Sequence, residues 1–152
     1  MKTILITGFA AFGGEKINPS WEAVKQLDQL IIDEHQLIAR QLPCSFTESS
    51  EHLTKLLEEL QPQIVLNIGQ AGGRLDISLK REAINLADAR INTVSPDVRG
   101  GFIHIPYLPE QAAVLGAQPS MTAETVINGL KIILKTIIAT PQDISAVGGT
   151  IC

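Results

Sequence analysis

Residues 3–14 read TILITGFAAFGG. Residues 3–7 are β-branched or apolar throughout, the pattern of a strand covered on both faces. Three glycines in residues 8–14 then break the run. The pattern suits a buried strand that opens into a functional loop. Asn18-Pro19-Ser20 has the form of a helix start, with Asn18 or Ser20 as the cap, and Trp21, Val24, Leu27 and Leu30 recur at helical spacing. Residues 34–42 read as a second strand ending at Pro43. A second helix carries Leu53, Leu56, Leu57 and Leu60, with Thr47 and Ser49 available as caps and Pro62 as its stop. Residues 63–68 (QIVLNI) are a third strand, followed by GQAGGR, and residues 101–105 are another. Residues 122–140 form an amphipathic helix with Val126, Leu130, Ile133, Leu134, Ile137 and Ile138 on one side and Thr122 as cap. Strand and helix alternate, which predicts an α/β three-layer sandwich on a mostly parallel sheet.

Two stretches fit this scheme poorly. Residues 76–86 hold β-compatible residues that alternate badly, and read as a short strand pair or an irregular arm. Residues 92–100 (NTVSPDVRG) are turn-rich, and nine residues extend to about 30 Å at most, too short to hold a crossover helix.

The chain has 152 residues, enough for one domain spanning 1–152. A hydrophobic share of 45% against 18% charged fits a globular chain, and aromatics at 4% leave the core to Ile, Leu, Val and Ala. The net charge of −4, with no cluster of Lys or Arg, leaves nucleic acid without an electrostatic footprint. The longest apolar tract, residues 127–139, is too short and too polar to span a bilayer, so no membrane role is expected. Cys44 and Cys152 lack metal-site or disulfide spacing. The expected compartment is the cytoplasm, with no metal and no cofactor.

Three glycine-containing or chain-reversing segments come directly after predicted strands: residues 8–14, 69–74 and the stretch after Ile105. Ligands of open α/β sheets gather at the carboxyl ends of strands. GFAAFGGEK is not a phosphate loop, because Gly14 is followed by Glu15-Lys16-Ile17 and not by Lys and a hydroxyl residue. It does carry Phe9 and Phe12, which on a loop would clamp a flat ring. His104 sits in GFIHIPYLPEQ as either a core histidine or a base. His35 and His52 lie in polar contexts and read as surface residues.

TGFAAFGGEKINPSWEAV, IGQAGGR, AINLADARI and GFIHIPYLPEQ, in this order, resemble the pyroglutamyl peptidase I (pyrrolidone-carboxylate peptidase) family of cysteine exopeptidases. The resemblance implies a cytosolic hydrolase, in a family that forms dimers or tetramers, acting on peptides with N-terminal pyroglutamate through a Cys–His pair oriented by an acid. On it, His104 matches the catalytic histidine and Arg90 the oxyanion arginine. Phe9, Phe12, Gln70 and Ile91 match the pocket for the lactam.

Two departures qualify that implication. The family continues after DARI with several dozen residues, including a strand that runs into a helix and carries the nucleophilic cysteine. Here Ile91 leads through NTVSPDVRG straight to Gly101, so the resemblance implies an internal deletion between about 91 and 101, loss of a strand-helix unit, and a missing nucleophile. The triad glutamate falls on Lys80, which cannot accept an imidazole N–H and disfavours an imidazolium. Glu82, two residues on, is a possible substitute by register. Cys44 is either at the pocket rim or a small half-buried residue, and neither thiol is expected at a helix N-terminus. The readings left open are an inactive or strongly impaired hydrolase, a binder of pyroglutamyl peptides that does not cleave them, and a structural or oligomerising remnant.

Overall fold

A computed structural model describes residues 1–80, the last by its backbone alone, and 97–141. The strands are β1 (Lys2–Phe9), β2 (Ile31–Ile32), β3 (His35–Leu42), β4 (Ile64–Gln70), β5 (Ser78–Lys80) and β6 (Arg99–Ile105). The helices are α1 (Pro19–Val24), α2 (Phe46–Leu60), α3 (Pro109–Val114) and α4 (Ala123–Ala139). All six strands form one sheet in the order β2-β3-β1-β4-β6-β5. The four inner strands are parallel, and the two short edge strands run antiparallel to their neighbours. The expected α/β three-layer sandwich on a mostly parallel sheet is what the chain forms.

The layers follow from the pleat. Ile4, Ile6, Leu66, Ile68 and Ile103 face α1 and α4, where Ala23, Val24, Val126, Leu130 and Leu134 are buried against them. Leu5 and Val65 point the other way, onto Leu53, Leu56 and Leu57 of α2. Central strands buried on both faces read as continuous apolar runs, and TILIT and QIVLNI are such runs.

Several local expectations are corrected. The first helix is short: α1 ends at Val24, one 3₁₀ turn carries the chain to Leu27, and Leu30 lies outside the helix, packing against the same core. Asn18 is the cap, its Oδ1 accepting from the Ser20 N–H at 3.0 Å. Neither Thr47 nor Ser49 caps α2. The N-cap is Ser45, and the Ser49 hydroxyl turns back to the Phe46 carbonyl. The helix ends at Gln61 in the left-handed region (φ 43°), which turns the chain before Pro62. His35 is buried at the start of β3, since its side of the strand packs into the sandwich. The β2–β3 hairpin and α3 had no sequence signal of usable length.

The missing crossover is resolved by topology. β4 and β6 are the parallel pair, and residues 71–98 connect them with antiparallel β5 on the way. The turn-rich segment therefore does not have to hold a crossover by itself, and its last two residues already belong to β6. Arg99, the first residue of β6, donates from Nη1 to the Ile137 carbonyl and from Nη2 to the Thr140 carbonyl, both at 2.8 Å. A cation at a helix C-terminus satisfies orphan carbonyls and complements the dipole. Arg99→Met is expected to cost about 1–2 kcal/mol, read as a lower urea midpoint at unchanged slope.

Candidate active site

β1, β4 and β6 are neighbours in the sheet and parallel, so the segments that leave their carboxyl ends open on one edge. The three chemical-looking segments of the sequence are thus brought together. The second and third also touch: the Tyr107 ring of the third lies where a Cβ on Gly72 of the second would stand.

The first loop is held by its helix. The Phe9 N–H donates to Ser20 Oγ at 2.9 Å, and Asn18 Nδ2 donates to the Ala10 carbonyl at 3.1 Å. One cap residue thereby fixes both the start of α1 and the path of the loop, a use of the INPS segment the sequence did not reveal. Phe9 is not on the loop as expected; it is the last residue of β1, half-buried, because the strand ladder extends two residues past Thr7. Phe12 is on the turn, 49% exposed.

His104 lies on β6, opposite Gly69 of β4. Phe102, two residues earlier on the same face, meets the His104 ring edge to face, with centroids 5.0 Å apart and planes at 74°. Its other neighbour is Phe9, at 6.3 Å. Three rings from two strands thus form a row across the glycine of the strand between them. Phe102 escaped sequence analysis, although its spacing of two from His104 in a strand is a signal that places both on one face. Beneath the row, Thr7 Oγ1 donates to Asn67 Oδ1 at 2.6 Å in a buried cross-strand pair. Gln70 pairs with Ile105, so the pleat turns it from the face of Gly69 and His104. Its buried Oε1 has no hydrogen-bond partner among the described residues.

On the other side of β6, Ser78 stands opposite His104 and position 80 opposite Phe102. The Ser78 hydroxyl donates to Asp76 Oδ1 at 3.0 Å and accepts from Arg74 Nη1 at 3.2 Å. Arg90, Ile91, Glu82, Cys152 and the side chain of Lys80 lie outside the described residues. A cavity of about 410 Å³ opens at the amino-terminal halves of β4 and β6, against Arg99, Ile137 and Pro141. It is away from the three segments and is not the candidate site.

Cys44 immediately precedes Ser45, the cap of α2, so one thiol does sit at a helix start, contrary to the sequence expectation. Its Sγ donates to the Ala10 carbonyl at 2.8 Å, and burial pushes its pKa above the ordinary thiol value. Donation to a carbonyl requires the proton, so the contact itself favours the thiol over the thiolate. The end of β3, just before Cys44, is three strand spacings from β6, roughly 14 Å.

The comparisons with known proteins match this architecture. A family profile described as pyroglutamyl peptidase matches residues 2–95 and again 91–140. The chain belongs to the pyroglutamyl peptidase family. Pyrrolidone-carboxylate peptidase from Brevibacillus brevis is 39% identical over 214 aligned positions, spanning 99% of this chain and 100% of the relative. The protein of the same name from an Enterobacter species is 38% identical over 211 positions, spanning 98% and 99%. Among solved structures, pyroglutamyl peptidase I from Bacillus amyloliquefaciens superposes with a TM-score of 0.86 at 27% identity, covering 95% of this chain and 99% of that one. A mutant pyrrolidone carboxyl peptidase from Pyrococcus furiosus gives 0.84 at 25% identity, covering 92% and 100%. These 152 residues are thus spread over alignments of 211 to 214 positions. No helix among the described residues is long and apolar enough to cross a membrane.

Proposed function

We propose that this chain retains the family's recognition site for N-terminal pyroglutamate and lacks its working nucleophile, so that it binds pyroglutamyl peptides and hydrolyses them slowly or not at all. In this reading His104 is the inherited base, Arg90 the oxyanion partner, and Phe9, Phe12, Gln70 and Ile91 the lactam pocket. Lys80 stands where the family's orienting acid would be, and a strand-helix unit between about 91 and 101 is missing. The observation that carries the reading is the state of Cys44, a protonated donor to Ala10, three strands from the His104 strand. Supporting it, the family profile matches in two pieces that overlap at residues 91–95, the place where the motifs close up.

Recognition is tested by calorimetry with a pyroglutamyl dipeptide. The parent is expected to bind it and return it intact by mass spectrometry. Phe12→Ala removes a half-exposed ring whose loss costs the fold little, and is expected to weaken binding about tenfold. Absence of binding by the parent, or equal binding by the variant, would remove the recognition half of the reading.

A further inference from the structure

We propose that Phe102 and Gly69 form a seat that fixes the orientation of the His104 imidazole, with Phe102 as a positioning residue. A Cβ built on Gly69 would stand 2.8 Å from Phe102 Cζ, 2.9 Å from its Cε1 and 3.5 Å from His104 Cδ2. The phenyl ring therefore occupies the space a side chain on β4 would take, and lies over the bare backbone of that strand. From there it meets the imidazole edge to face at 5.0 Å and reaches Phe9 at 6.3 Å on the far side. Gly69 is fixed by this close approach and not by a special backbone angle. Aromatic pairs in this geometry resist reorientation, because rotating either ring loses the edge-to-face alignment of their quadrupoles. The Phe102 and Gly69 contacts on the imidazole come from β6 and β4.

This inference rests on the reading of His104 as the inherited base, yet its readout is the ring itself, so absence of hydrolysis leaves it standing. The experiment uses the whole chain with ¹³C-labelled histidine. Ring-carbon relaxation of His104 is compared in the parent, Phe102→Leu, Gly69→Ala and the double variant, alongside the rate of ethoxyformylation of each histidine. In the parent, His104 is expected to relax as a rigid ring. Phe102→Leu is expected to loosen it and to speed its modification about fivefold, the population change set by losing one aromatic pair. His52, exposed on α2, and His35, buried at the start of β3, are expected to stay as they were, reporting an intact fold. Gly69→Ala drives a methyl into the phenyl ring and is expected to give the same His104 signature with a loss of stability. Adding Phe102→Leu is expected to relieve that loss, as for two residues in contact, without restoring the rigid imidazole. A rigid, slowly modified His104 in folded Phe102→Leu overturns the proposal. Should that variant fail to fold, an unmoved His104 in Gly69→Ala does the same.

Discussion

Incubated with a fluorogenic amide of pyroglutamate, the chain is expected to release no more fluorophore than a preparation carrying Cys44→Ser and Cys152→Ser. Under the same conditions the Brevibacillus brevis relative is the positive control. Attack by a thiolate needs a base within hydrogen-bonding reach, about 3 Å. Cys44 fails that test on two counts. Its strand end is roughly 14 Å from β6 by strand spacing, and its sulfur is held as a proton donor by the Ala10 carbonyl. Removing the nucleophile from a triad typically lowers kcat about a million-fold, leaving what binding and oxyanion contacts supply. That residue of activity lies below detection in a fluorogenic assay of ordinary length. Turnover that disappears with Cys44→Ser would show that the loop around Ala10 opens far enough to bring the thiol across the sheet. Turnover that disappears with Cys152→Ser would give the role to the last residue. Turnover that survives both would shift attention to the hydroxyl of Ser78, which the antiparallel ladder sets opposite His104.

The sequence makes the sandwich legible because its central strands are long and apolar. TILIT and QIVLNI are short, β-branched-rich runs that suit doubly covered strands, and the spacing of Val126, Leu130 and Leu134 fixes the face of α4. Short elements were less legible: α1 announced itself only by its Asn18-Pro19-Ser20 start, and β5 only as part of a poorly alternating stretch. β2, β5 and α3 are too short for periodicity to accumulate, and only pairing with a long neighbour defines them. The candidate site divides the same way. The residues that resemblance marks as base and pocket, His104 and Phe9, do come to one face, because β1, β4 and β6 are neighbours in the sheet. Phe102 stayed hidden because a phenylalanine inside a strand reads as core, and only the vacancy over Gly69 shows where its ring goes. Gln70 shows a second thing that spacing along the chain conceals. Adjacent in sequence to Gly69, it is turned to the other face by a pleat that one-dimensional proximity ignores. Cys44 was misplaced relative to its helix because Ser45, Thr47 and Ser49 are all plausible caps by residue type, and the cap fell on the first of them.

Gly8→Ala is expected to be the most destabilising of the small substitutions, at about 3 kcal/mol, equivalent to a fall in Tm of about 6–12 °C for a chain of this length. Its Cβ would stand 2.7 Å from the backbone nitrogen of Trp21, 2.8 Å from Trp21 Cα and 2.8 Å from the carbonyl carbon of Ser20. None of these atoms belongs to a side chain that can swing away, so either β1 or α1 must move as a body. β1 is held on both sides by parallel ladders to β3 and β4. The helix therefore yields, and what it loses is specific: the Ser20 hydroxyl leaves the Phe9 N–H, Asn18 leaves the Ala10 carbonyl, and Ala23, Val24 and Leu27 lift from Ile4 and Ile6. The loop bearing Phe12 loses its two contacts to α1 in the same movement, keeping those to β3 and Cys44, so the substitution is expected to weaken pyroglutamyl-peptide binding at temperatures where the chain is still folded. Gly101→Ala is the matched control. Among the described residues, the new methyl there meets only Leu66 Cδ2, at 3.2 Å, the free end of a flexible side chain. Its cost is expected to be less than about 1 kcal/mol. Thermal melts of the two variants side by side decide the matter: a Gly8→Ala transition no lower than that of Gly101→Ala would mean that α1 is not seated on β1 at this glycine, and that the loop's path is set by something other than the Asn18 and Ser20 contacts.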